Sequence, residues 1–244
     1  MAVALLMEFI DSFLGMMYGT VLSPFLILAG YDAKTVIPAI LISQAVGGFM
    51  ASWRHNKLGN ANFSKGTLDR QISLSVIWLG VLASIVGVFL SVSIPVKVLN
   101  TYIALLVIGI AIMIFLRKTL MMTPAKIFML GFASAFNKAL SGGGFGPLVA
   151  GGQLVFKDRQ EKGAIGSTDF AEAPICLISF ILWLLLKGFP DWSLTIPLCL
   201  GAGIGGFFGP EALSRITSRN KLKLFLGGLV LIEGLWVLYK VWVK

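Results

Sequence analysis

The chain has 244 residues, 57% of them hydrophobic and only 13% charged, with a mean hydropathy of +0.90. A soluble domain carries about 25% charged and 45–50% apolar residues, so one soluble core inside a polar shell is excluded. The net charge of +9, from 20 Lys and Arg against 11 Asp and Glu, admits either a nucleic acid or a membrane as partner, and the placement of the cations decides between them.

In chain order, Glu8 and Asp11 come first, with no Lys or Arg ahead of them. That pattern speaks against a cleaved signal peptide, and both carboxylates read as interfacial. Charge-free runs follow at Ser12–Tyr31 (20 residues), Thr35–Trp53 (19), Gln71–Val96 (26) and Val98–Leu116 (19). A helix needs roughly 20 residues to cross a hydrocarbon core of about 30 Å. Ile127–Phe156 then holds only Lys138, Gly163–Leu186 only Asp169 and Glu172, Trp192–Pro210 no charge, and Leu224–Tyr239 only Glu233. Eight apolar segments joined by short polar loops predict an all-α polytopic membrane protein. The lipid bilayer is its partner and nucleic acid is not. His55, in the loop after the second segment, reads as solvated. Cys176 and Cys199 lie in apolar segments and read as packing residues, so no disulfide framework, metal site or cofactor is expected.

An internal repeat is visible. Tyr18–Leu26 and Ser141–Val149 align with an offset of 123 residues, which carries Gly19 onto Gly142 and Pro24 onto Pro147. Each is followed by a polar turn and another apolar segment, where Ser43-Gln44 lies near the place of Thr168-Asp169. Two four-segment membrane repeats, 1–117 and 124–244, are expected. If all eight segments crossed fully, the cations would show no sidedness, contrary to the positive-inside rule. If segments one and five instead enter and leave on one side, four loops gather 14 of the 20 cations on the cytoplasmic face: Arg54–Arg70, Arg117–Lys126, Lys157–Lys162 and Arg215–Lys223. The halves are then inverted, with broken or re-entrant first segments, as in many secondary transporters. A steeply tilted span is the competing account of segment five.

Ser23-Pro24 and Gly146-Pro147 both read as helix starts, with Ser or Gly as N-cap and Pro in the first turn. A helix start at mid-membrane offers free N–H groups and a positive dipole end to an anion. Gly142, Gly143, Gly144 and Gly146 let backbone approach a ligand, or else permit only a kink or close packing. An ionisable group at this depth is a functional candidate, so Lys138, with Asn137 and Ser141, is placed to neutralise an anion. The candidate binding set is Gly19, Ser23, Ser43, Gln44, Asn137, Lys138, Ser141, the four glycines and Thr168. Asp169 and Glu172 share a helix face; they either carry protons for coupling or hold Lys138 in a structural pair. Glu233 is a weaker candidate. The G-x-G-x-x-G match at Gly201–Gly206 lies in an apolar span without a βαβ context, and Gly201, Gly205 and Gly209 read as tight helix packing. No catalytic motif is present.

The stretch Gly131–Pro147, with Ser141-Gly-Gly-Gly-Phe-Gly-Pro, and its weaker copy Gly15–Pro24 resemble the duplicated glycine-proline motif of the TauE/SafE family of sulfite exporters. Ala164–Thr168 resembles that family's small-residue and Ser/Thr stretch. The resemblance implies a transporter of small sulfur-containing anions (sulfite, thiosulfate or organosulfonates) in a prokaryotic-type cytoplasmic membrane, with protons as one option for the driving ion. Asn137-Lys138 departs from the apolar or small residues expected before the glycines, and the first copy keeps one glycine where the second has four. An anion channel, a membrane-embedded enzyme and an assembly subunit are the alternatives, and homo-oligomerisation stays open.

Overall fold

The computed structural model of the chain describes residues 1–116, 124–153, 159–215 and 220–243. Among these residues there are ten helices and no strand, as the apolar segments require: a backbone in lipid must satisfy its own hydrogen bonds. The helices are α1 (Ala2–Leu14), α2 (Tyr18–Leu28), α3 (Ala33–Lys57), α4 (Leu68–Ser93), α5 (Val96–Leu116), α6 (Pro124–Ser141), α7 (Phe145–Gln153), α8 (Glu161–Lys187), α9 (Trp192–Arg215) and α10 (Asn220–Trp242). Four of them, α3, α4, α8 and α9, are long and apolar enough to cross a bilayer by length and composition. Large apolar side chains such as Trp78, Leu82, Leu185 and Ile196 point outward, as a lipid-facing surface demands.

The order of elements is a broken helix followed by three long ones, twice over. Both breaks turn on a left-handed residue directly after the first piece: Gly15 at φ 76° and Gly142 at φ 78°. These are helix C-caps, conformations that glycine adopts without Cβ strain. Gly15 N donates to Asp11 O at 2.6 Å and Gly142 N to Lys138 O at 2.8 Å. Met17 and Gly144 then take φ 126° and 84°, and the second pieces begin at Tyr18 and Phe145.

This corrects the expected placement of the first break. Ser23-Pro24 is not a helix start; Pro24 lies inside α2, and the chain turns at Gly15–Met17 instead. The cause is local: the Asp11 carboxylate accepts from Tyr18 N at 2.9 Å and so caps α2 at its true beginning. In the second half Pro147 does sit in the first turn of α7. The two breaks are therefore 127 residues apart, counted from Gly15 to Gly142, rather than 123, and Gly19 corresponds to Gly146.

Neighbour contacts set the directions. A Cβ on Gly201 would meet Met1 O, one on Gly205 would meet Phe9 N, and one on Gly209 would meet Phe9 O, so α1 runs parallel to α9 along the glycine stripe expected to pack tightly. Likewise Gly131 lies against Val76, Gly87 against Phe136, and Ser91 Oγ donates to Leu140 O at 2.8 Å, so α6 runs parallel to α4. The far end of α7 returns to the start of α8: Gln153 Nε2 donates to Ala164 O at 3.3 Å. Both outer ends of the α6–α7 pair thus lie at one end of the bundle. That end is tied by Arg54–Glu211 (2.5 Å), by Arg159–Asp69 and by Lys162 Nζ donating to Ser214 O (3.0 Å). At the opposite end, Lys34 Nζ donates to Val92 O and Lys240 Nζ to Ile27 O. Arg117, Lys118, Lys157 and Arg219, part of the expected cationic face, lie outside the described residues.

Candidate functional site

The two breaks cross each other inside the bundle. A Cβ on Gly19 would overlap the Gly142 carbonyl oxygen, and one on Gly146 would stand 2.5 Å from Gly15 O. Each half therefore uses a glycine in its second piece to admit the carbonyl of the other half's turn. Ser23 Oγ donates to Ser141 O at 3.0 Å, and Gly144 N donates to Thr20 Oγ1 at 3.2 Å. Within the second turn, Ser141 Oγ donates to Asn137 O and accepts from Gly143 N at 3.2 Å. Most of the glycines and hydroxyls singled out in the sequence thus hold the crossing itself together.

Lys138 stands at its centre, 1% exposed. Its ammonium lies 2.6 Å from Glu172 Oε1 and donates to Gln44 Oε1 at 3.2 Å. A Cβ on Gly19 would come within 3.0 Å of the same nitrogen, so the absence of a side chain there makes room for the lysine head. The amide of Gln44 points its other end at two carboxylates: Nε2 donates to Glu8 Oε2 at 3.2 Å and to Asp11 Oδ2 at 3.1 Å. Glu8 rests against Gly47, and Tyr18 OH donates to Ser43 Oγ at 2.7 Å. Residues from α1, α3, α6 and α8 so form one continuous polar network deep in the bundle.

Three candidates lie apart from that network's centre. Asn137 turns towards α5, where its Oδ1 accepts from Tyr102 OH. Thr168 Oγ1 donates to Ala164 O and accepts from Gln153 Nε2. Asp169, one turn before Glu172, faces His55: Oδ2 is 3.1 Å from His55 Nε2, which also lies 3.2 Å from Ser12 O. Of the two acidic partners open to Lys138, the structure brings Glu172 to it.

Sequence reasoning missed three participants. Glu8 and Asp11 are not interfacial but buried, because α1 begins at Ala2 and lies along α9 inside the bundle. His55 is not solvated; it closes the last turn of α3 fully buried, with Nδ1 3.2 Å from Asn60 Nδ2. The signal for Asp11 was the repeat read at its structural offset: 127 residues carry Asp11 onto Lys138, and 128 carry Gln44 onto Glu172. Asp11 and Gln44 in one half thus correspond to residues of different charge, Lys138 and Glu172, in the other. Glu233 is half-buried on α10, outside these contacts.

Chemically, such a site can hold an anion against a buried ammonium group and exchange protons among carboxyl groups. No group of three or more His, Cys, Asp or Glu among the described residues is arranged to hold a metal ion. A family model described as sulfite exporter TauE/SafE matches residues 1–237. The chain is 21% identical over 254 aligned positions to a protein of Bacillus subtilis (strain 168) described as probable membrane transporter protein YtnM, covering 99% of this chain and 82% of that relative. No solved structure matches the chain significantly. With broken helices crossing at a buried lysine and a family match over nearly its whole length, this integral membrane protein belongs to the TauE/SafE sulfite exporter family.

Proposed function

We propose that the chain is a secondary transporter, not an enzyme, that moves a small sulfur-containing anion (sulfite, thiosulfate or an organosulfonate) across the cytoplasmic membrane and binds it beside Lys138 at the crossing of the two breaks. One asymmetry carries this reading. At the start of α2 the Asp11 carboxylate occupies the amide of Tyr18, an internal anion on a helix N-terminus. The residue in the corresponding place before α7 is Lys138, a pure donor that cannot cap an amide. The amides around that second turn donate instead to the neutral hydroxyls of Ser141 and Thr20, which a bound oxyanion can replace.

Lys138 is held by Glu172, so an incoming anion competes with a carboxylate. Protonating Glu172 removes the competitor and frees the ammonium group. That links anion binding to proton binding without a separate relay, and it assigns coupling to Glu172, with Asp169, Glu8 and Asp11 as further carboxyl groups in reach of the network. Flux of radiolabelled sulfite, thiosulfate and an alkanesulfonate into proteoliposomes tests the reading. The expected result is uptake of at least one of them that rises with an imposed proton gradient and is lost in Lys138→Ala. Gradient-insensitive flux points to a channel, and absence of flux for all three overturns transport of these anions. Glu172→Gln is expected to retain anion exchange at equal pH while losing gradient-driven accumulation.

We further propose that 1–117 and 124–244 are inverted repeats, each opening with a re-entrant pair, and that the arginine-tied end faces the cytoplasm. The reciprocal pairing of α1 with α9 and of α6 with α4 supports this, as do Arg54, Arg159, Lys162 and Arg215 at that end. Single cysteines at Lys57, Lys118, Lys157 and Arg219, in a chain whose Cys176 and Cys199 have been replaced, are all expected to label from the cytoplasm. Labelling of position 157 from outside would break the re-entrant arrangement.

A further inference from the structure

At the end of the bundle away from the arginine ties, a cavity of about 450 Å³ opens between the end of α2, the start of α5 and the end of α10. Its size is that of a small-ligand site, and no step of the transport scheme uses it. Two ammonium groups line it. Lys240 Nζ donates to Ile27 O and Leu28 O, both at 3.2 Å, which leaves it a further N–H. Lys97 Nζ sits 4.2 Å from the centroid of the Trp242 ring, a cation–π contact that holds the head at the rim. The one carboxylate in the lining, Asp32, is engaged elsewhere: it caps α3 by accepting from Lys34 N at 2.8 Å. It keeps its charge, so the lining carries two cations against one anion and is positive by one.

A second feature is independent of charge. Asn100 also lines this space, and its Oδ1 is turned into the protein, buried and without a hydrogen-bond partner among the described residues. A buried acceptor left unmatched costs stability and calls for a donor. Val96, Val237 and Val241 supply an apolar wall beside it.

We propose that this cavity binds an oxyanion headgroup that also carries a hydroxyl or ammonium donor: Lys97 and Lys240 take the oxyanion, the amide of Asn100 turns outward to take the donor, and the valines take the adjoining carbon chain. A phospholipid headgroup and a free phosphate ester share this chemistry. The inference does not depend on which anion is transported.

Native mass spectrometry and thermal unfolding of the purified full chain test it, with phosphatidylglycerol, phosphatidylcholine and free glycerol phosphate as separate probes. Phosphatidylglycerol is expected to bind and raise the unfolding midpoint where phosphatidylcholine does not. Binding of the lipid alone identifies a membrane headgroup, and equal binding of free glycerol phosphate identifies a soluble ligand; both support the site. Lys97→Ala and Lys240→Ala are each expected to weaken binding about fivefold, the scale of one interfacial lysine. Because Lys240 also ties α2, Val241→Phe serves as a second variant that fills the space and keeps both cations; it is expected to abolish binding. Equal response to phosphatidylcholine and phosphatidylglycerol without any response to glycerol phosphate, or unchanged binding in Lys97→Ala and Val241→Phe, overturns the proposal.

Discussion

Lys138→Met is expected to abolish anion flux in proteoliposomes and to destabilise the protein by about 3–5 kcal/mol, the usual cost of leaving one partner of a buried ion pair alone. The stranded partner is Glu172, which lies 2.6 Å from the ammonium group and is 3% exposed. Adding Glu172→Gln to the same chain removes the unpaired charge and is expected to recover most of the stability, read as the thermal unfolding midpoint in detergent, without recovering flux. This pair of variants separates two roles. A lysine present only to satisfy Glu172 would allow the double variant to transport, and that result would remove Lys138 from the binding site. Gln44 makes the coupling local: its amide oxygen accepts from Lys138 while its nitrogen serves Glu8 and Asp11. Changing the lysine is therefore felt on α1 as well as on α8.

Gly19→Ala is expected to prevent assembly of the crossing, with a stability loss of about 3 kcal/mol or more, because overpacking against rigid backbone has no flexible side chain to absorb it. The added methyl group would overlap the carbonyl oxygen of Gly142, with Lys138 Nζ directly behind it. Gly109→Ala is the matched control. Gly109 is helical, and a Cβ there meets nothing within 4 Å, so the substitution is expected to be neutral or slightly stabilising through helix propensity. The difference between the two variants in thermal midpoint and in yield of folded protein measures the crossing itself. Equal behaviour would mean that the two turns do not bear on each other.

Much of the fold was legible in the residues. Runs such as Gln71–Val96 carry no charge for the length of a span, and α4 occupies nearly that stretch. The glycine spacing at 201, 205 and 209 announced a close helix neighbour, and α1 fills that place. Lys138 stood out as the lone cation in thirty apolar residues, and it is the centre of the polar network. The first break was misplaced because Pro24 is the louder signal. A proline marks where a helix is costly, whereas the Asp11 carboxylate decides where α2 begins, through a hydrogen bond seven residues away. Glu8 was set at the membrane surface for a similar reason. Acidic residues near a chain end read as polar flank until it is known that α9 lies alongside them.

By composition and pattern the sequence determined a helical membrane protein, the glycine-marked interruption after Ser141 and the identity of the buried lysine. These follow from local rules: hydropathy over a span's length and the cost of charge in lipid. The tertiary structure alone decided which carboxylate meets Lys138, that Asp169 turns instead to His55, and that Glu8 and Asp11 share Gln44 with the lysine. Those pairings join residues from 33 to 114 positions apart. They depend on how α1, α3, α6 and α8 lie against one another, and no periodicity within a single helix encodes that.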